Sequence, residues 1–159
     1  MTKMLLYVCL GNTCRSPALA DLLNQKAKKL LEKGHLKADS AAITKYNVGN
    51  DIQPLMKQVA SEKGVKLKRH KARLFTKDDI MQYDLILGVT EDICDMIRAQ
   101  CVDSDDEKKV LLATHFSITY LDRDIIDPFS KEKSDYAEVF DQLETITQET
   151  IESERFLAF

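Results

Sequence analysis

Two hydrophobic rhythms alternate along the chain. Leu5 to Val8 form a continuous apolar, partly branched run that ends in the turn signal Gly11-Asn12, the pattern of a strand buried on both faces. From Pro17 the period lengthens: Leu19, Leu22, Leu23, Leu30 and Leu31 keep helical spacing, with Ser16 as the expected N-cap, Pro17 at the first helical position and Gly34 as the stop. Leu36 to Ile43 reads as a second strand, Gln53 to Glu62 as a helix stopping at Gly64, and Thr76 as the opening of a short helix. Asp84 to Val89 is another buried-strand run, and a helix follows from Thr90 to about Ala99. Val110 to Ala113 supplies a fourth strand. The tail from Ser134 to about Arg155 places Val139, Phe140, Leu143, Ile146 and Ile151 on one helical face. The acidic stretch Asp103 to Glu107 is expected to form a solvated loop. Strand and helix alternate throughout, which predicts an α/β three-layer sandwich around a parallel, four-stranded sheet.

Composition narrows the setting. The 159 residues suit one domain, 1–159, and 44% hydrophobic with 31% charged residues excludes a wholly disordered chain. A net charge of -3 gives no global basic field, so neither nucleic acid nor a membrane surface is an expected partner. The run Met4 to Leu10 is too short for a secretory core, and no stretch reaches membrane-helix length, so a cytoplasmic setting is expected. The four cysteines, Cys9, Cys14, Cys94 and Cys101, are read as reactive or buried thiols rather than a disulfide framework. No metal and no cofactor is expected.

The chemistry concentrates in Cys9-Leu10-Gly11-Asn12-Thr13-Cys14-Arg15-Ser16, between the first strand and the first helix. A loop that curls into a helix start aims several backbone N–H groups at one point, where the helix dipole adds positive charge; such a nest holds a tetrahedral oxyanion. Gly11 and Asn12 are residue types that tolerate the positive φ a tight cradle requires. Cys9, at the strand end, faces the same field, which favours its nucleophilic thiolate. Arg15, in C-x5-R spacing, offers a planar fork for two phosphate oxygens, and Ser16 can donate to the sulfur.

The segment CLGNTCRSPALADLL resembles the signature of the low-molecular-weight protein tyrosine phosphatases. The resemblance continues through Asp39-Ser-Ala-Ala, Tyr46-Asn-Val-Gly, His70-x-Ala-Arg73, Tyr83-Asp-Leu-Ile-Leu and Asp127-Pro-Phe, from residue 3 to about 155. It implies hydrolysis of protein phosphotyrosine through a cysteinyl-phosphate intermediate, with phosphorylated proteins or peptides as substrates and inorganic phosphate or vanadate as inhibitors. Cys9 takes the nucleophile's position, Arg15 the clamp's and Asp127 the general acid's. A thiol phosphatase needs such an acid for its leaving oxygen, and Asp122, Asp124 and Asp127 lie in one segment; Asp127 is further restricted by Pro128. The resemblance also implies a polar network of Asn12, Ser16, Ser40 and His70 supporting the loop, a rim of Tyr46, Asn47 and Phe129, and a reversible Cys9–Cys14 disulfide under oxidation.

Three positions depart from the tyrosine-phosphatase form: Thr13 in the loop, Thr90 after the third strand, and Phe129-Ser130 after Asp127-Pro128. Bacterial protein-arginine phosphatases, a branch of the same family, are similar to the chain at all three. Leu10 and Tyr46-Asn47 are closer to the tyrosine branch, and an aromatic rim can stack on a phenyl ring. Phosphotyrosine is therefore the expected substrate and phosphoarginine the alternative. A thioredoxin-coupled arsenate reductase using Cys94 and Cys101 as a redox relay, and a non-catalytic phosphate-binding module, are the remaining alternatives. Cys94 and Cys101 are spaced to share a helical face, which suits core packing.

Overall fold

The first apolar run becomes β1 (Lys3–Cys9), buried from Leu5 onward, and every other layer is built around it in the computed structural model. The structure describes residues 2–30 and 35–159. After β1 come α1 (Arg15–Leu30), β2 (Leu36–Ala42), α2 (Pro54–Glu62), α3 (Lys77–Gln82), β3 (Leu85–Gly88), α4 (Glu91–Arg98), α5 (Ser104–Glu107), β4 (Val110–Leu112), α6 (Lys133–Glu152) and α7 (Glu154–Leu157). The four strands form one parallel sheet in the order β2-β1-β3-β4. β1 therefore sits between β2, which follows it in sequence, and β3, which follows β2. Right-handed crossovers then put α1, between β1 and β2, on one face and α4, between β3 and β4, on the other. α6 packs on α1 and α2, while α4 covers β3 and β4. Connections leave β1 in opposite directions, so a crevice opens at the carboxyl ends of β1 and β3, the usual place for a ligand in an open α/β sheet. Among the described residues no helix is long and apolar enough to cross a membrane.

Local chemistry accounts for the places where element boundaries differ from expectation. α1 begins at Arg15, so Ser16 lies inside the helix rather than capping it; its hydroxyl is engaged by Cys9 and Asn12 instead. Leu31 and Gly34, the latter the expected stop, lie outside the described residues, as does the side chain of Leu30. The Asp103–Glu107 stretch is exposed, yet it closes into the one-turn α5 because the Asp103 carboxylate accepts from Asp106 N. The terminal helix breaks at Ser153, which takes an extended conformation and accepts from Phe156 N to restart the chain as α7. That break returns Phe156 to the core, edge-on to Phe116. Thr90 caps α4 through its hydroxyl, which accepts from Ile93 N at 3.3 Å, a task an aspartate at this position performs equally well. Cys101 lies beyond the end of α4 and is half-buried, whereas Cys94 is fully buried, so the two do not share a helix face.

Gly88 marks a tight contact between the sheet and α4. A Cβ there would lie 2.6 Å from Cys94 Sγ and 3.2 Å from Cys94 N. Gly88→Ala is expected to lose about 1–3 kcal/mol of stability in urea unfolding. Adding Cys94→Ala should recover part of that loss; an unchanged midpoint for Gly88→Ala alone would contradict the packing described.

Candidate active site

The loop after β1 is held shut by Asn12. Its backbone takes a left-handed conformation (φ 57), and its side chain makes two bonds inside the protein: Nδ2 donates to Ser16 Oγ at 2.9 Å, and Oδ1 accepts from Arg73 N at 3.1 Å. Its carbonyl accepts from His70 Nε2 at 2.7 Å, which fixes the proton of that imidazole on Nε2. His70 is anchored in turn by Asp51, whose carboxylate accepts from His70 N, Ile52 N and Lys57. The Lys57 hydrogen bond is the foremost cause that holds the Asp51 carboxyl below its ordinary range. Gly11 does not adopt positive φ; its lack of a Cβ instead makes room for the Asn47 amide, which a side chain at Gly11 would meet at 2.4 Å. Ser40 stands on β2, half-buried, and makes no hydrogen bond to the loop among the described residues, so the structure does not bring it into this network.

Inside the loop, Cys9 Sγ is 2% exposed at residue level and receives Asn12 N at 3.2 Å. Ser16 Oγ lies 2.9 Å from the same sulfur and is the donor whenever the sulfur is ionised. The N–H groups of Gly11, Thr13, Cys14 and Arg15 meet no protein acceptor among the described residues and are left for an oxyanion. Cys14 borders the same space, but burial, reinforced by Cys9 and Asp127, pushes its thiol upward, which keeps it protonated. Arg15 is buried, donates through one nitrogen to Ile125 O at 2.7 Å, and sits 3.5 Å from Asp127 Oδ2 through the other.

The loop that carries Asp127 is tied to the sheet by Ile125 N, which donates to Val89 O. Phe129 N donates to Asp127 Oδ1 at 3.0 Å, closing a turn over Pro128 and fixing the carboxylate. The other two carboxylates of the segment point elsewhere: Asp124 caps α4 at Glu91 N, and Asp122 pairs with His115. A cavity of about 630 Å³ results, with Cys9 and Arg15 in its lining, Asp127 and Phe129 on one side, and Asn47, Gln53 and Lys57 among the others. Tyr46 is 83% exposed and does not border the cavity, so the expected pair of rim aromatics is reduced to Phe129. Cys94 and Cys101 do not border it either; burial pushes the Cys94 thiol up to about 11, and its sulfur lies against Gly88 and Leu111 O. Among the described residues no three His, Cys, Asp or Glu side chains cluster as metal ligands. A nucleophilic sulfur, an oxyanion nest, a guanidinium and a nearby carboxylate together suit displacement at a phosphoryl group.

Residues 4–154 match the family described as low molecular weight phosphotyrosine protein phosphatase. The chain belongs to this family. One relative is the low molecular weight protein-tyrosine-phosphatase Wzb of Escherichia coli, 32% identical over 150 residues that cover 91% of this chain and 90% of that protein. Among solved structures, a protein tyrosine phosphatase from Entamoeba histolytica superposes with a TM-score of 0.88 at 24% identity, covering 99% of this chain and 100% of that one. The YwlE arginine phosphatase from Geobacillus stearothermophilus superposes with a TM-score of 0.81 at 30% identity, covering 94% and 91%.

Within this phosphatase family member, a chain of polar groups behind Thr13 was not legible in the sequence. Gln53 N donates to Thr13 O at 2.8 Å, Gln53 Nε2 donates to Thr13 Oγ1 at 3.3 Å, and Tyr136 OH donates to Gln53 Oε1. Burial, then the neighbouring Cys14 and Asp127, raise the Tyr136 phenol, so it remains a donor. With its oxygen already accepting from Gln53, the Thr13 hydroxyl is free to present its proton to the cavity it borders.

Asn12 supports a test of the loop's brace. Both Asn12→Gly and Asn12→Ala remove the bonds to Ser16 and Arg73, but only alanine also carries left-handed strain. Urea titration should show Asn12→Gly destabilised by about 1–3 kcal/mol and Asn12→Ala by roughly 1 kcal/mol more. Equal values for the two would mean the backbone conformation at Asn12 is not imposed by the loop.

Proposed function

We propose that the chain hydrolyses phosphotyrosine in proteins through a cysteinyl-phosphate intermediate. One observation carries this reading: Cys9 Sγ, with Asn12 N and Ser16 Oγ as donors, shares a single cavity with Arg15 and Asp127. A phosphoryl group entering the nest places its oxygens on the loop N–H groups and on Arg15, displacing the Arg15–Asp127 contact. The Cys9 thiolate attacks phosphorus, and the bond to the phenolic oxygen breaks while protonated Asp127 gives that oxygen its proton. Water then attacks the phosphocysteine. Asp127 takes a proton from it, the P–S bond breaks, and Ser16 donates to the departing thiolate. Inorganic phosphate is the product and, with vanadate, the expected inhibitor. Cys14, a protonated thiol bordering the same space, is the partner expected to trap oxidised Cys9 as a disulfide that thiols can reverse.

The substrate side chain must reach phosphorus bound at the base of the cavity. A phenyl stem reaches further than the short stem of phosphoserine, and Phe129 borders the cavity beside it. Phosphoarginine is the second reading, and Thr13 favours it: its hydroxyl borders the cavity and is oriented by Gln53, and one solved structure 30% identical to the chain is an arginine phosphatase. The test is kcat/KM on matched phosphotyrosine and phosphoarginine substrates for wild type and the near-isosteric Thr13→Val. Wild type should favour phosphotyrosine by about tenfold or more. Thr13→Val should lower phosphotyrosine turnover by no more than about tenfold. Higher wild-type efficiency on phosphoarginine, lost in Thr13→Val, would overturn the substrate while leaving the Cys9, Arg15 and Asp127 chemistry in place.

A further inference from the structure

A second cleft, of about 480 Å³, runs along the outer edge of β2, the edge strand of the sheet. Its walls are α1, the strand edge, and the stretch 68–71. Backbone groups on a strand point alternately to either side. Ala38 faces outward, and the Asn24 amide takes both its N–H and its C=O at 2.8 Å. Ala42 also faces outward; its N–H donates to Arg73 O and its C=O accepts from Phe75 N. Ser40, between them, presents its N–H and C=O on the same edge, and among the described residues no hydrogen bond takes either. The cap at each end thus leaves a one-residue window of open sheet edge inside the cleft.

Two further features share the window. Asp21 is only 7% exposed and borders the cleft; its Oδ2 accepts from Lys68 N, but its buried Oδ1 has no partner. An unpartnered buried acceptor calls for an N–H or O–H donor. Around the mouth stand the exposed Lys68, Arg69 and Lys71, none of which pairs with an acid among the described residues, in a chain whose net charge is -3. The wall also carries Lys37, exposed and in no ion pair among the described residues, the Asp39 carboxylate, which accepts from Tyr83 OH, and Arg73, which is paired with Asp79. A free inorganic anion would satisfy the cations but would face two bare acceptors, Asp21 Oδ1 and Ser40 O. An extended peptide carries both the N–H donors and the C=O acceptor that this edge lacks, and acidic side chains match its cations.

We propose that this cleft docks an acidic, extended segment of the phosphoprotein substrate. The source of the segment rests on the phosphatase reading above; the docking itself does not. Ile52 walls both clefts, and His70, which borders this one, donates to Asn12 O of the phosphate loop, so this cleft adjoins the loop that builds the first.

The experiment uses the full chain, a fluorescein-labelled, unphosphorylated octapeptide alternating Glu and Ser, and the same peptide with Gln for Glu. Anisotropy should show saturable, salt-sensitive binding of the Glu peptide and none of the Gln peptide. The triple variant Lys68→Ser, Arg69→Ser, Lys71→Ser should bind about tenfold more weakly. A triple of equal charge change elsewhere, Lys77→Ser, Lys108→Ser, Lys131→Ser, should not. In the second arm, Glu residues flanking phosphotyrosine should raise kcat/KM over a Gln-flanked peptide, and only the first triple should abolish the gain, with para-nitrophenyl phosphate turnover unchanged. No saturable binding, equal loss in both triples, or a flat kcat/KM across the two flanks would overturn the proposal. Intact Glu-peptide binding in a protein that hydrolyses no phosphate ester would instead count against the phosphatase reading.

Discussion

The left-handed turn at Asn12 is the constraint on which the rest of the site depends. It reverses the chain immediately after β1, so that Asn12 N meets Cys9 Sγ and the following N–H groups face the same space. The conformation is unfavourable for a residue with a side chain, and three contacts from separate parts of the chain hold it: Ser16 from α1, and Arg73 and His70 from the stretch before α3. Placing Ser16 within α1 rather than at its cap is part of the same arrangement, because one hydroxyl then faces both Asn12 and the sulfur. The loop's geometry is therefore a tertiary property, although its residues are contiguous.

Sheet topology supplies the second half. β1 lies between β2 and β3, and the crevice at their carboxyl ends is where the loop carrying Asp127 arrives after β4. Ile125 fastens that loop twice, to Val89 O through its N–H and to Arg15 through its carbonyl. Asp127 is thereby brought beside Arg15 from more than a hundred residues away, while Asp122 and Asp124 are used for local structure.

Much of this was legible in the sequence because the informative residues are local. The strand-to-helix passage from Cys9 to Ser16, the apolar runs of β1, β3 and β4 and the Asp127-Pro128 turn each carry their signal within a few positions. What the sequence did not reveal depends on long-range packing. Gln53 reads as a helix-start residue and Tyr136 falls in the terminal helix with no signal of its own, and only the packing of α2 against α6 joins them behind Thr13. Tyr46 shows the opposite error: its aromatic character suggested a rim, but the turn at 45–50 leaves it exposed and off the cavity wall. The helix break at Ser153 falls inside the expected Ser134 to Arg155 helix, because the cap that Ser153 gives to Phe156 N has no counterpart in apolar spacing.

The central claim is that phosphorus is transferred to Cys9 before it reaches water. Asp127→Ala removes the acid of the first step and the base of the second, so a substrate whose leaving group needs no proton, 2,4-dinitrophenyl phosphate, confines the loss to the second step. Rapid mixing with that ester, a denaturing quench near neutral pH and peptide mass spectrometry then read the intermediate directly. The account predicts one phosphoryl group on the peptide containing Cys9, absent from Cys9→Ser. Turnover with no phosphorylated cysteine, or the label on any residue other than Cys9, would contradict it.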